Sequence, residues 1–206
     1  MTRDEMLADL AYARTVAEEG RNAPLLGGSY LLFWGLLNGT AFAAHYAILE
    51  DVLPLMEGRS FALLWGGYGI VAAVGMTLLR MRGRAKPGVA SIGSRAERAL
   101  WSGAATAVLA VVIGSIARMV SAGDVTAPNA ILAAAFALYG AALFGTASLS
   151  QQTWLRGFGW LALGVALNAA MFANFSWVYV IAAIGSLLAL CVPGFILLKR
   201  EPAAIE

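Results

Sequence analysis

The stretch LLGGSYLLFWGLLNGTAFAAHYAIL, residues 25–49, holds 25 residues without a single Asp, Glu, Lys or Arg. About 20 apolar residues in a helix cross a bilayer core of about 30 Å, so the stretch is long enough to span a membrane. It is also too long for the apolar region of a cleavable signal peptide. Because hydrocarbon offers the backbone no hydrogen-bonding partners, we expect this segment to be a helix.

The composition of the whole chain indicates lipid as its main solvent. Of 206 residues, 60% are hydrophobic and only 13% are charged, whereas a soluble domain carries about 25% charged residues. The net charge of +2 gives no reason to expect a nucleic-acid partner. Cys191 is the single cysteine, which excludes an intrachain disulfide and a thiolate metal cluster.

Five more apolar stretches of similar length follow the first one. The six predicted spans are residues 25–49, 61–79, 99–120, 130–150, 155–172 and 178–198. We therefore predict an all-α membrane protein with six transmembrane helices, arranged as three antiparallel helix hairpins. The remaining parts are an N-terminal segment, 1–24, a loop, 80–98, and a short tail, 199–206.

The basic residues predict the orientation of these spans, because cytoplasmic loops are enriched in Lys and Arg. Twelve of the 14 basic residues flank the spans on one side, and only Arg59 and Arg118 lie on the other. We expect both termini in the cytoplasm. The loop 80–98 is the most basic part, with Arg80, Arg82, Arg84, Lys86, Arg95 and Arg98. Twelve arginines against two lysines are typical of a GC-rich bacterial genome, so the predicted location is the bacterial inner membrane.

Two spans carry the same short pattern. Residues 37–43, LNGTAFA, and residues 167–173, LNAAMFA, both match L-N-x-x-x-F-A, so Asn38 corresponds to Asn168. Tyr68-Gly69 and Tyr139-Gly140 form a weaker pair in spans two and four. These matches favour three hairpin repeats. Trp34 of span one corresponds to Gly164 of span five, which would suit spans one and five packed side by side.

Asn38 and Asn168 allow two interpretations. An intramembrane asparagine usually joins helices by hydrogen bonds, each contributing about 0.6–2 kcal/mol. Alternatively, the two amides line a polar path through the protein. Asparagine carries no charge and no acid lies near either residue, which favours the first interpretation.

His45, the only histidine, follows Asn38 and Phe42 at helical spacing and therefore shares their face. We expect it at the outer interface, where it reaches water or Glu50. Two alternatives give it a ligand. The A-x-x-x-H pattern from Ala41 to His45 resembles the chlorophyll-ligating pattern of bacterial antenna polypeptides, and this resemblance implies a pigment at His45. A haem with a second, methionine ligand is the other alternative.

The sequence contains no set of residues that would predict catalysis or a bound metal. No Asp or Glu lies inside a predicted span, and neither an H-E-x-x-H motif nor a multi-His or His–Cys set is present. Small residues recur instead at the spacing used in helix–helix interfaces. They are Gly35 and Gly39 in span one, Gly66 and Gly69 in span two, and Ala162 and Ala166 in span five.

Residues 2–20 have the pattern of an amphipathic helix with an acidic face. Through residue 21 the N-terminal segment has a net charge of −2, so an anionic leaflet would repel it. We expect it to dock on the loop 80–98 or on a cytoplasmic partner.

Together these features predict a non-enzymatic membrane subunit or accessory protein that associates with other membrane proteins or with itself. The first alternative is a small permease or channel lined by Asn38 and Asn168. The second is a pigment- or haem-binding protein that uses His45; otherwise no cofactor is predicted.

Overall fold

The computed structural model describes residues 6–7, 9–10, 12, 27–52, 59–83 and 91–200, and within these ranges the regular structure is entirely helical. The main elements are α1 (Gly28–Leu49), α2 (Ser60–Gly83), α3 (Ile92–Ala122), a 3₁₀ turn (Ala127–Asn129), α4 (Ala130–Ser150), α5 (Leu155–Met171) and α6 (Val178–Leu198). The prediction of an all-α chain is thus confirmed for the described residues.

Five of these helices are long and apolar enough to cross a membrane, and α5, with 17 residues, is the shorter exception. Helix α4 begins and ends where the sequence predicts. Helices α2 and α3 extend beyond their apolar segments, because a helix continues in water as long as its backbone groups find partners. At the start of α3 the side chain of Ser91 accepts a hydrogen bond from the Ser94 N–H at 3.2 Å and caps the helix.

These extensions change the predicted loop 80–98. Arg80 and Arg82 lie in the last turn of α2, where a positive charge favours a helix C-terminus. Arg95 and Arg98 belong to the first turns of α3. The interval that the structure leaves for a connection is residues 84–90, and Arg84 and Lys86 in it lie outside the described residues.

Short connections reverse the chain between α4 and α5 and between α5 and α6. We call the end at which α1, α3 and α5 finish the His45 end, and the opposite one the basic end. Helix α4 packs between α3 and α5, while α1 packs between α2 and α6. Spans one and five are therefore separated rather than side by side. A Cβ at Gly164 would meet nothing within 4 Å, and Trp34 contacts Tyr68 of α2 instead.

Helices α1 and α6 approach each other closely at two glycines. A Cβ at Gly35 would lie 2.6 Å from Cys191 Sγ, and one at Gly194 would lie 2.5 Å from the backbone N of Leu32. Residues Leu187–Cys191 form a π-helical turn just before Pro193. A proline lacks the N–H that an α-helix needs, and a wider turn accommodates this loss without ending the helix.

The N-terminal segment 1–24 is described only in part. Its described residues are helical and exposed; they are Met6, Leu7, Asp9, Leu10 and Tyr12. The rest of this segment and the tail from residue 201 lie outside the described residues, so the expected docking of residues 2–20 stays a prediction.

Candidate functional site

The stripe of Asn38, Phe42 and His45 on α1 forms the centre of a polar and aromatic column, which we call the aromatic column. A second stripe on α2 has the same i, i+4, i+7 spacing and runs antiparallel to the first. Helices α4 and α6 cover the other side. The column consists of Asn38, Phe42 and His45 of α1, Phe61, Trp65 and Tyr68 of α2, Phe136 and Tyr139 of α4, and Tyr179 of α6.

Asn38 occupies the layer nearest the middle of the membrane-spanning segment, and only 2% of it is exposed. Its Oδ1 accepts a hydrogen bond from the Tyr68 hydroxyl at 2.7 Å. Its Nδ2 donates to the Tyr139 hydroxyl at 3.2 Å. The amide thus joins α1, α2 and α4. These two tyrosines belong to the Tyr-Gly pair noted in the sequence, so the two positions of that pair contact the same side chain.

Phe42 forms the next layer and is 8% exposed. Its ring lies between Trp65, at 6.1 Å between ring centroids, and Phe136, at 6.3 Å. Tyr179 adds a third contact at 6.5 Å. These tilted geometries fall in the range that favours aromatic pairs. The Trp65 N–H and the Tyr179 hydroxyl make their hydrogen bonds outside this layer, so packed rings separate the polar layers above and below it.

His45 lies in an aromatic layer of the column, and its expected pairing with Glu50 stays a prediction. Its ring stacks on Tyr179, with centroids 3.8 Å apart and planes at 19°, and approaches Phe61 at 4.7 Å. The indole N–H of Trp65 donates a hydrogen bond to His45 Nδ1 at 3.1 Å. The imidazole is half-buried and is held by side chains of α2 and α6, so it is less accessible than an exposed interface position would make it.

The direction of the Trp65 hydrogen bond bears on the two ligand interpretations of His45. An indole N–H can only donate, so Nδ1 must accept and the proton of the neutral imidazole lies on Nε2. A histidine that binds a metal through Nε2 normally donates its other N–H to an acceptor. The observed arrangement has the opposite polarity, and a pigment or haem at Nε2 would require Trp65 to turn away.

The structure does not bring Asn168 to Asn38. Both ends of the Asn38 amide are used by tyrosines. Asn168 lies on α5, and its buried Oδ1 finds no hydrogen-bond partner among the described residues. The sequence match between the two asparagines therefore does not correspond to a shared contact.

A polar cluster at the His45 end continues from the column. The Tyr179 hydroxyl donates to Asn129 Oδ1 at 3.0 Å, and Arg118 pairs with Asp124 at 2.9 Å in the loop after α3. The hydroxyl of Thr126 donates to Asp124 at 2.7 Å. This hydrogen bond, with those from the Thr126 backbone and Arg118, holds the pKa of the Asp124 carboxyl below its usual range.

The small residues predicted to pack separate into two groups. Gly35 and Gly39 face α6 closely, and Ala162 and Ala166 of α5 are buried. Three of the α2 glycines do not pack in this way: a Cβ at Gly66, Gly67 or Gly69 would meet nothing within 4 Å among the described residues.

The α2 half of the aromatic column and the burial of Glu97 were not predicted from the sequence. Phe61, Trp65 and Tyr68 repeat at i, i+4 and i+7, and this aromatic period could have found them. Glu97 belongs to the predicted loop 80–98, yet it is 3% exposed and a Cβ at Gly27 would lie 2.5 Å from its Oε1. Its place among basic residues in the sequence gave no sign of burial.

Within the part of the chain that the structure describes, no three His, Cys, Asp or Glu side chains come together as metal ligands do. Comparisons of the chain with protein-family models, with curated proteins and with solved structures find no match.

Proposed function

We propose that this chain is a non-enzymatic subunit of the bacterial inner membrane, with six membrane crossings and both termini in the cytoplasm, that binds another membrane protein through α2. The aromatic column fixes α2 against α1 and leaves its other faces open. The proposal rests on one observation: Gly66, Gly67 and Gly69 lie within one turn of α2, and none of the described residues would come within 4 Å of a Cβ added to any of them.

The free-energy cost of these glycines supports a partner. Glycine inside a helix is about 1 kcal/mol less favourable than alanine, so three of them cost about 3 kcal/mol. Lipid does not offset this cost, because acyl chains gain nothing from a missing side chain. A second helix does, since glycine lets two backbones approach closely. Helix α2 also packs mainly on α1 and exposes Leu63, Ile70 and Val74.

We propose a transmembrane helix of a different protein as the occupant. The test is copurification of the tagged full-length chain at native expression. Gly66→Leu and Gly69→Leu are expected to remove the copurifying protein, because the added side chains keep the backbones apart. Gly164→Leu is the matched control, since Gly164 is equally open but lies on α5.

A photo-crosslinking residue at position 67 identifies the neighbour directly. A single adduct with a different membrane protein is the expected result. An adduct of twice the chain's mass would instead show that a second copy occupies α2. A chain that migrates alone in mild detergent and gives no adduct would contradict the proposal, as would equal loss of the partner in the Gly164→Leu control.

The orientation has its own test. The distribution of basic residues supports a cytoplasmic location for both ends. Reporter fusions at residue 1 and residue 206 should both be active as cytoplasmic enzymes and inactive as periplasmic ones. Opposite locations of the two ends would require an odd number of crossings, which would remove α5 as a spanning helix.

The two alternatives receive less support from the geometry. A permease path along Asn38 would have to cross a layer of packed aromatic rings, and both ends of the Asn38 amide are already hydrogen-bonded. A pigment or haem at His45 competes with the Trp65 hydrogen bond. The absorbance spectrum of the purified chain should accordingly show no band in the visible range.

A further inference from the structure

A groove at the His45 end lies over the first turns of α4 and is bordered by α3 on one side and by the end of α5 on the other. Its volume is about 490 Å³, which lies in the range of about 300–1,000 Å³ found for ligand pockets. The lining between the helices consists of small side chains. They include Gly114 and Ser115 of α3, Ala130 and Ala133 of α4, and Ala169 and Ala170 of α5.

The mouth of the groove is polar. Arg118 and Asp124 line it and form an ion pair with 2.9 Å between Nε and Oδ2. The Arg118 side chain is 71% exposed and that of Asp124 is 26% exposed, so both can meet a ligand. The pair presents one positive and one negative charge side by side, with no net charge.

The small-residue lining and the charged mouth of the groove together indicate which ligand fits it. In a bilayer, a groove lined by small side chains is filled by an acyl chain, because lining atoms that face a void lose their dispersion contacts. Arg118 lies four residues before the end of α3 and Asp124 two residues beyond it, so the pair flanks the end of a helix long enough to cross a membrane, where headgroups are expected. An anionic headgroup would be attracted by Arg118 and repelled by Asp124. A zwitterionic one matches both, with its phosphate on Arg118 and its ammonium on Asp124.

We infer that the groove binds one phospholipid with an ethanolamine headgroup, whose acyl chain lies along the alanines between α3 and α5. The site is separate from the α2 face proposed for a partner protein. It also does not depend on which side of the membrane the His45 end faces, since both leaflets contain such headgroups.

The test uses the full-length chain, stripped of lipid in detergent and titrated with dioleoyl phosphatidylethanolamine or dioleoyl phosphatidylglycerol. Native mass spectrometry counts the bound lipids. We expect one phosphatidylethanolamine bound about tenfold more tightly than phosphatidylglycerol. Gly114→Leu should lower its affinity roughly tenfold by filling the groove. Gly103→Leu is the matched control: both glycines lie on α3 with nothing within 4 Å of an added Cβ, but Gly103 is not part of the lining.

A further variant tests the headgroup. Asp124→Asn should remove the preference by lowering the affinity for phosphatidylethanolamine, which loses the partner of its ammonium, and not that for phosphatidylglycerol, because Arg118 still attracts a phosphate. Equal affinities for the two lipids in the wild-type chain would overturn the inference, as would equal effects of Gly114→Leu and Gly103→Leu. Binding of the soluble headgroup glycerophosphoethanolamine as tightly as the lipid would also overturn it, because the acyl chain would then contribute nothing.

Discussion

Replacing Asn38 by leucine tests whether the aromatic column holds the helices together. The substitution keeps the size of the side chain and removes two interhelical hydrogen bonds, to Tyr68 at 2.7 Å and to Tyr139 at 3.2 Å. Intramembrane hydrogen bonds contribute about 0.6–2 kcal/mol each, so we expect the loss of two to lower the free energy of unfolding by about 1–4 kcal/mol. The loss should fall near the upper end because Asn38 is buried and both tyrosine hydroxyls lose a partner.

The assay is reversible unfolding of the full-length chain in mixed micelles with increasing dodecyl sulfate. Thr40→Val is the matched control on the same helix: Thr40 is exposed and its hydroxyl bonds the carbonyls of Leu36 and Leu37 in its own turn. The control should change the free energy of unfolding by less than about 0.5 kcal/mol.

A double-mutant cycle makes the test specific to the hydrogen bonds. Asn38→Leu combined with Tyr68→Phe should cost less than the sum of the single changes, because both remove the same hydrogen bond. Strictly additive effects, or an Asn38→Leu variant as stable as the Thr40→Val control, would refute the assignment of Asn38 as the polar link between α1, α2 and α4.

Three further outcomes follow from other contacts. Gly194→Ala should destabilise the chain by about 1–3 kcal/mol in the same unfolding titration, because its Cβ would meet the α1 backbone. Gly67→Ala, with open space around it, should leave the isolated chain as stable as the wild type or up to about 1 kcal/mol more stable. Trp65→Phe removes the N–H donor to His45 Nδ1, and ¹⁵N NMR of the imidazole should show a changed Nδ1 shift; an unchanged shift would mean that the hydrogen bond is absent. Because the pKa of Asp124 is lowered in the folded chain, its carboxylate stabilises the fold above the unfolded pKa of about 3.9, and this stability is lost as pH falls through the lower folded pKa. Asp124→Asn should therefore have a lower melting temperature than the wild type at pH 6, and the difference should disappear in acid. A difference in melting temperature that persists at low pH would contradict this.

The amount of the column that could be predicted from sequence differs between its two halves. The face shared by Asn38, Phe42 and His45 follows from helical spacing alone, and the structure places all three in one column. The identity of their partners does not follow. Trp65 was not predicted to reach His45, because aromatic residues are frequent on every face of a helix in lipid and none of these faces differs in polarity from the others.

Glu97, at the basic end, is another residue whose neighbours could not be predicted from the sequence. In the sequence it is one acid among six basic residues, which is the pattern of a solvated loop. The structure continues α3 back to Ile92 and buries Glu97 against the start of α1. Burial of this carboxylate depends on where two distant segments meet, and neither segment carries a local sign of it.

The sequence by itself determined that the described residues are helical and where their apolar helical segments lie, because hydrocarbon excludes unpaired backbone groups and so couples apolar length directly to structure. Only the tertiary structure decided how far α2 and α3 continue, which helices are neighbours, and that Asn38 bonds two tyrosines rather than Asn168. It also decided that Gly35 and Gly39 of α1 are covered, while Gly66, Gly67 and Gly69 of α2 are open among the described residues. The physical reason is that lipid tails are as apolar as the helix surfaces they touch. Packing shape and a few hydrogen bonds then select the neighbours, and these emerge only when the helices are assembled.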